Sequence, residues 1–209
     1  MRKRIIALIS FLCYIVCWTQ AADEHYYFKN LSIKDGLSQT TVNAIMQDKK
    51  GFMWFGTKGG LSRYDGMSFR NFKRDMNDNH SLGNNFVTCL YEDNKGNIWV
   101  GTDAGMYIYY SDREIFVPFN LLSRENTKID RTVSAISGDK EGRVWIAVET
   151  QGLFCYEPQK EQLHNYTLNS FSANVQSVTS DNSGTIWVGF YGSGLFYSKD
   201  NLKTLHPYL

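Results

Sequence analysis

Four aspartates in the chain are each followed three positions later by a glycine, and carboxylates gathered in a short loop can bind calcium. A calcium loop needs oxygen ligands at alternate positions and a distal glutamate, whereas the first of these turns reads Asp48-Lys-Lys-Gly51. Aspartate in the first position and glycine in the fourth is the preference of a type I turn. We therefore predict structural turns, and no metal site, at Asp48–Gly51, Asp93–Gly96, Asp139–Gly142 and Asp181–Gly184.

Other residues that could do chemistry are dispersed. The four histidines, His25, His80, His164 and His206, do not have the spacing of a metal site. The Gly-x-Ser-x-Gly pattern of a serine nucleophile does not occur in the sequence. Acidic residues are scattered over the chain, and spacing nominates no pair for glycoside hydrolysis. The sequence therefore predicts no catalytic residue, no metal and no cofactor.

Four tryptophans suggest a different chemistry, because aromatic side chains line many ligand pockets and can stack on sugar rings. Trp54 lies three residues after the glycine of the first turn, and Val42 lies six residues before its aspartate. The same offsets recur at Trp99, Trp145 and Trp187, which follow at intervals of 45, 46 and 42 residues. A residue fixed at one position of a repeat is expected in the shared packing core. We therefore predict buried tryptophans, with sugar stacking as the alternative.

The elements that must hold these residues are short β-strands. Each repeat contains four runs of strand-forming residues separated by turn residues, and a period in the forties with four strands is typical of a propeller blade. Aromatic residues make up 15% of the chain, which suits blades that pack on large rings. The sequence therefore predicts an all-β chain of four four-stranded antiparallel blades at 42–86, 87–132, 133–174 and 175–209.

The turn between the second and third strands of each blade differs from repeat to repeat, while the glycines around it persist. In a propeller these turns share one face with the connections between blades, so variable polar groups there can confer ligand specificity. Solvated turn residues without a role would show the same pattern. The candidate ligand-binding residues are Lys58, Asp103, Glu149 and Tyr191.

Residues 1–22 have the pattern of a secretory signal peptide, with a basic start, an apolar stretch of 14 residues at Ile5–Trp18, and Ala21 and Ala22 at the cleavage region. The apolar stretch is short for a membrane span. We therefore expect a periplasmic chain with no membrane span after cleavage. Cleavage would leave 19 basic and 21 acidic side chains, which gives no electrostatic basis for binding nucleic acid.

Two cysteines lie beyond the signal peptide, Cys89 and Cys155. The aligned repeats place Cys89 at a small inward position of a first strand and Cys155 on the third strand of the next blade. We expect two unpaired buried thiols, because free cysteine packs as a small apolar residue. A disulfide between them is the alternative.

Residues 23–41 form an entry segment in which Phe28–Leu31 repeats the pattern of a fourth strand. An early strand of this kind can complete the last blade of a ring, but the last repeat already has its own fourth strand at Leu205–Tyr208. Four blades are also the lower limit of known rings. We therefore expect an extra outer strand, an open arc of blades, and an N-terminal position of this fragment within a longer protein.

Five segments of the sequence match one known pattern: Leu31-Ser-x-x-Asp35-Gly36-Leu37-Ser38, Gln47-Asp48-x-x-Gly51-Phe52-Met53-Trp54-Phe55-Gly56-Thr57, Gly60-Leu61-x-Arg63-Tyr64-Asp65-Gly66, Ser81-Leu82-x-x-Asn85-x-Val87, and Glu92-Asp93-x-x-Gly96-x-Ile98-Trp99-Val100-Gly101-Thr102. They resemble the two-component regulator propeller repeat, which occurs in periplasmic sensor regions of hybrid two-component histidine kinases from Bacteroidetes. The resemblance covers roughly residues 26–209. It departs from the pattern at Ile146-Ala147-Val148 and Gly189-Phe190, where Gly-Thr is expected.

This resemblance implies the N-terminal part of a seven-bladed propeller that senses oligosaccharides and regulates glycan-utilisation genes, without catalysis in this fragment. Full-length members of the family continue into a second propeller, a β-sandwich, a membrane span, a histidine kinase, receiver domains and a DNA-binding domain. The implied partners are an oligosaccharide, the remaining blades, those signalling domains, and a second copy in a full-length homodimer. Two alternatives stay open: a free-standing secreted glycan-binding or scaffold propeller, and a secreted propeller hydrolase or lyase.

Overall fold

The computed structural model describes residues 27–121, 128–166 and 174–208, so the predicted signal peptide at 1–22 lies outside the described residues. The chain divides into two compact units, Met1–Asn30 and Leu31–Leu209. In the first unit, the described residues 27–30 have no regular secondary structure. The second unit contains all of the described strands.

Four antiparallel sheets make up the second unit, and in each sheet the four strands pair in the order of the chain. This confirms the predicted all-β fold of propeller blades. Blade 1 contains β1 (Val42–Gln47), β2 (Met53–Thr57), β3 (Gly60–Tyr64) and β4 (Phe69–Phe72). Blade 2 contains β5 (Val87–Glu92), β6 (Ile98–Thr102), β7 (Gly105–Tyr110) and β8 (Ile115–Pro118). Blade 3 contains β9 (Val133–Gly138), β10 (Val144–Val148), β11 (Gly152–Glu157) and β12 (Gln162–Tyr166). Blade 4 contains β13 (Val175–Ser180), β14 (Ile186–Phe190), β15 (Gly194–Ser198) and β16 (His206–Pro207).

The helical content of the described residues is two 3₁₀ turns, Ile33–Asp35 and Phe119–Leu121. The first turn is closed by Ser32, which accepts a hydrogen bond from the Lys34 amide, while the Asp35 carboxylate accepts one from the Ser32 amide. This reciprocal arrangement is a capping box. Within the described part of the chain, no helix has the length and apolar character that crossing a membrane requires.

A β-bulge at the start of each first strand links a blade to the next one. The register of every first strand shifts directly after its leading valine. A bulge turns a side chain out of the regular alternation, and in three blades this side chain donates a hydrogen bond to the leading valine carbonyl of the following blade. The three bonds are Asn43 to Val87 (2.8 Å), Thr88 to Val133 (2.5 Å) and Ser134 to Val175 (2.7 Å).

Glycine in the second strand makes room for the same leading valine. A Cβ atom added at Gly56 would lie 2.6 Å from a methyl carbon of Val87, and one added at Gly101 would lie 3.0 Å from Val133. Real Cβ atoms do not tolerate such approaches without movement of the neighbours. The glycine at this position therefore leaves room for the leading valine of the next blade, and at Gly101 also for the Cys89 side chain of its own blade, whose Sγ would lie even closer to the added atom.

The apolar core lies between successive blades. Trp54 packs against Tyr109 of blade 2 with 5.4 Å between ring centroids, and Trp99 packs against Tyr156 of blade 3 at 5.8 Å. Trp145 belongs to a cluster with the valines and isoleucine of blade 4. These three tryptophans are at most 2% exposed, as the repeat pattern predicts.

Trp187 corrects the expectation of four equivalent buried rings, because it is only half-buried. The aromatic rings that pack on it, Tyr197 and Tyr208, belong to its own blade. On blade 1 the opposite face is uncovered in the same way: Ile45 is 62% exposed, whereas its counterparts in blades 3 and 4, Ile136 and Val178, are 9% and 6% exposed. Burial at these positions therefore depends on a neighbouring blade.

The predicted outer strand at Phe28–Leu31 is not a strand in the structure. These residues have no regular secondary structure, and the Phe28 side chain is 97% exposed. A strand exists through the hydrogen bonds of its ladder, and every described sheet already has its four strands. The apolar pattern of this segment alone could not supply a partner.

Candidate functional site

Each turn aspartate is an acceptor for several protein donors. In blade 1, one carboxylate oxygen of Asp48 accepts hydrogen bonds from the backbone amides of Lys50 (3.0 Å) and Phe52 (2.9 Å). The other oxygen accepts the indole N–H of Trp54 at 2.8 Å. The offset from aspartate to tryptophan is therefore fixed because one carboxylate closes the turn and also satisfies the buried indole.

The same geometry recurs in all four blades. The indole to carboxylate distances are 3.1 Å for Trp99 and Asp93, 2.9 Å for Trp145 and Asp139, and 3.0 Å for Trp187 and Asp181. Hydrogen bonds from Ser183 and Trp187 hold the pKa of Asp181 well below its usual value. The glycines of these turns, Gly51, Gly96, Gly142 and Gly184, all have positive φ. These residues act on the hairpin itself, and among the described residues no group of three or more His, Cys, Asp or Glu is placed to hold a metal.

The variable turns lie on the face of the blade connections, as expected for turns between second and third strands. Each variable residue donates its backbone N–H to the carbonyl of the residue directly before the first strand of the same blade. The four bonds are Lys58 to Thr41 (3.3 Å), Asp103 to Phe86 (3.1 Å), Glu149 to Thr132 (2.9 Å) and Tyr191 to Asn174 (3.0 Å). The Lys58 ammonium also lies over the Phe86 ring, 5.3 Å from its centroid. The structure thus aligns these four residues at equivalent positions, and their ligand role stays a prediction.

A cleft that sequence reasoning missed lies between blades 2 and 3, on the opposite side from the variable turns. It has a volume of about 380 Å³ and is formed where the first turn of each blade meets the hairpin between third and fourth strands. Its aromatic lining is Tyr91, Trp99, Tyr110 and Tyr156, and its polar lining includes Asn94, Lys95, Asn97, Gln159 and Glu161. We call this recess the aromatic cleft.

A second recess, which we call the basic groove, adjoins the aromatic cleft. It has a volume of about 420 Å³, and Lys95, Asn97 and Tyr110 line both recesses. The remaining lining of the basic groove is Lys50, Gly96, Ser111, Asp112 and Arg113. Together the two recesses cover the turn side of blades 1, 2 and 3.

The signal for the aromatic cleft was present in the sequence as a departure from the repeat. Tyr91 and Tyr110 occur in blade 2 only. The positions equivalent to Tyr91 in the other blades hold Met46, Ser137 and Thr179, and those equivalent to Tyr110 hold Asp65, Glu157 and Lys199. A search for shared residues passes over such positions because they are not shared. Residues that one blade alone possesses are the better pointer to a site.

The remaining candidate residues have no catalytic arrangement in the described part of the chain. His80, His164 and His206 are exposed, and His25 lies outside the described residues. Cys89 and Cys155 are free thiols, the first half-buried and the second buried. Burial raises the pKa of each thiol to about 12, so neither is activated as a nucleophile.

The fold and the repeat chemistry define a β-propeller repeat protein whose recurring Asp, Gly and Trp residues build the blades. Two stretches of this chain, residues 36–59 and 81–104, match the family described as the two component regulator propeller. These stretches contain the first aspartate turn and its tryptophan in blade 1, and the corresponding residues in blade 2.

Individual proteins that resemble this chain include a histidine kinase and two proteins of known structure. The chain is 36% identical over 77 residues to histidine kinase P4 from Formosa agariphila, an alignment that covers 37% of this chain and 5% of the kinase. It is similar in structure to the extracellular domain of a hybrid two-component system from B. thetaiotaomicron, with a TM-score of 0.77, 23% identity, and coverage of 88% of this chain and 27% of that one. Virginiamycin B lyase from Staphylococcus aureus has a TM-score of 0.64 at 12% identity, with coverage of 85% of this chain and 57% of the lyase. The chain thus spans about a quarter of the first solved relative, and the likeness in structure concerns the fold.

Proposed function

We propose that this chain is the N-terminal part of a periplasmic sensor propeller in a hybrid two-component system. It responds to oligosaccharides and thereby regulates genes for glycan utilisation. The observation that carries the proposal is the match of residues 36–59 and 81–104 to the two-component regulator propeller family. The exported location follows from the predicted signal peptide at 1–22, and it accords with the extracellular position of the solved relative.

The geometry favours binding over catalysis. The repeated carboxylates are occupied by backbone and indole donors, and both thiols are protonated at neutral pH because burial raises their pKa. The aromatic cleft instead combines ring faces with amide side chains, which is the lining of a binding site. A propeller fold also occurs in the lyase, so the site and not the fold must separate a sensor from an enzyme.

The purified chain distinguishes these functions. It is titrated by calorimetry with a panel of oligosaccharides, and each mixture is then analysed by chromatography for cleavage products. We expect saturable binding of at least one saccharide and unchanged saccharide after prolonged incubation. Turnover that disappears on mutation of a single carboxylate would establish the enzyme alternative, and the absence of any binding would contradict the sensor function of these blades.

A further inference from the structure

The lining of the basic groove has three basic side chains, Lys50, Lys95 and Arg113, and one acidic side chain, Asp112. Within the described residues, the side-chain ammonium groups of Lys50 and Lys95 have no hydrogen-bond or ion-pair partner, and both lysines occupy the third position of an aspartate turn. The Arg113 side chain has its Nε atom 3.8 Å from an Asp112 carboxylate oxygen and its Cζ atom 4.6 Å from the centroid of the Tyr110 ring. A recess with two free ammonium groups favours an anionic group of a ligand.

Two acidic residues near the groove, Asp93 and Glu92, accept hydrogen bonds from donors other than the ammonium groups of Lys50 and Lys95. Asp93 accepts hydrogen bonds from the Lys95 amide and from the indole of Trp99. Glu92 accepts a hydrogen bond from the backbone N–H of Lys49 at 2.9 Å, and the Lys49 ammonium donates to the Asp93 carbonyl, also at 2.9 Å. The free lysines are therefore those at the groove, while Lys49 is held by the backbone.

The aromatic cleft supplies a different kind of surface beside this charge. Trp99 and Tyr156 are buried at its floor, at 2% and 6% exposure, and Tyr91 and Tyr110 are half-buried at its sides. Asn94 and Gln159 are exposed amides at the same recess. Flat rings bordered by amide donors and acceptors fit a molecule that has an apolar ring face and hydroxyl groups at its edge, which is the shape of a sugar.

We propose that the aromatic cleft and the basic groove together bind an acidic saccharide. The carboxylate or sulfate of one sugar unit lies against Lys50 and Lys95, and the ring of the adjacent unit lies against Tyr110, which lines both recesses. This inference rests on the oligosaccharide-sensing function proposed above, and it specifies the class of saccharide and its site.

The test uses the whole chain and three tetrasaccharide probes in calorimetry. The probes are a galacturonate tetramer, the methyl ester of the same tetramer, and a sulfated galactose tetramer. The ester removes the negative charge from the same sugar, and the sulfated tetramer compares sulfate with carboxylate. The variant is Lys50→Ala/Lys95→Ala. Its control, Lys140→Ala/Lys203→Ala, removes two lysines outside both recesses, and Lys140 comes from the corresponding turn of blade 3.

We expect one or both charged tetramers to bind at least about tenfold more tightly than the ester, as loss of charge-assisted hydrogen bonds implies. The Lys50→Ala/Lys95→Ala variant should lose this preference, and the control should keep it. A Tyr110→Leu variant should bind the charged tetramer and the ester more weakly to the same extent, because the variant loses the flat ring and keeps the lysines. Thermal melting of each variant verifies that the blades remain folded.

Three results would overturn the inference, and they have different consequences for the sensor function. Saccharide binding that is equal for the acid and its ester, or unchanged in Lys50→Ala/Lys95→Ala, would remove the acidic site and leave the proposed sensor intact. Absence of binding by all three probes, combined with binding of another saccharide from the panel, would refute the acidic class alone. Failure of every saccharide would contradict both proposals.

Discussion

Replacement of Trp145 by alanine tests whether the repeat tryptophans stabilise the contact between blades. Trp145 is fully buried, packs in a cluster with residues of blade 4, and donates its indole N–H to Asp139 at 2.9 Å. Truncation of a buried aromatic residue to alanine typically costs about 3–5 kcal/mol. Because small and medium domains have about 5–15 kcal/mol of stability in total, this change should remove a large part of it.

Two matched variants separate the contributions. Trp145→Phe keeps an aromatic ring but removes the indole donor, and the Asp139 oxygen still accepts the Arg143 side chain at 2.7 Å. We expect the free energy of unfolding to fall by about 1–2 kcal/mol, because the variant lacks one hydrogen bond and has a smaller ring. Trp187→Ala removes a half-buried ring from blade 4, and the smaller apolar area lost should limit the cost to about 1–2 kcal/mol.

The assay is urea unfolding at 25 °C followed by circular dichroism, with equal slopes required for comparison. With a slope of about 2–3 kcal/mol per molar urea, Trp145→Ala should lower the midpoint by about 1–2 M. The reasoning is refuted if Trp187→Ala is as destabilising as Trp145→Ala, because burial by the following blade would then have no energetic effect. A cost below about 1 kcal/mol for Trp145→Ala would likewise contradict a core role.

Three further predictions concern packing, association and pH. Gly56→Val should destabilise the chain by about 1–3 kcal/mol, because the added side chain overpacks against Val87. The same urea unfolding assay measures this change, and a stability equal to that of the unmodified chain would mean that the blades move apart freely. The uncovered faces at Ile45 and Tyr208, which are 62% and 60% exposed, should make the chain self-associate. Sedimentation velocity should show less self-association in Ile45→Lys, and a monodisperse monomer of the unmodified chain would contradict the prediction. Burial raises the pKa of Cys89 and Cys155 to about 12, so the unfolded state ionises first and stability should fall as pH rises from about 9 towards 12. Replacement of both cysteines by serine should reduce that slope, and an unchanged slope would assign it to other groups.

The blade architecture could be predicted because each blade is encoded locally. Valine, aspartate, glycine and tryptophan at fixed offsets define the first strand, its turn and the second strand, and the four first strands begin at Val42, Val87, Val133 and Val175. The reason for the offsets was not visible in the sequence, since an aspartate turn explains the glycine but not the tryptophan. The hydrogen bond between the carboxylate and the indole, seen for Asp48 and Trp54, accounts for both.

Features that depend on a neighbouring blade could not be predicted from one repeat. Trp187 and Trp145 lie at the same offsets from the aspartate and glycine of their turns, yet only Trp145 is buried, because burial requires the next blade. Phe28–Leu31 has a strand-like pattern but no ladder partner. The aromatic cleft combines Tyr91 and Tyr110 of blade 2 with Tyr156 of blade 3, and this proximity arises from the packing of whole blades.

The sensor function is tested most directly in the bacterium that carries this gene. Transcription is compared between the parent strain and a strain from whose gene the codons for blades 1–3, residues 42–174, have been removed, during transfer from glucose to single defined oligosaccharides. Immunoblotting establishes that the shortened protein accumulates. We predict that induction of one set of glycan-utilisation genes by one saccharide is lost and that the response to other saccharides is retained. An unchanged response to every saccharide, with the shortened protein present at the normal level, would contradict the account.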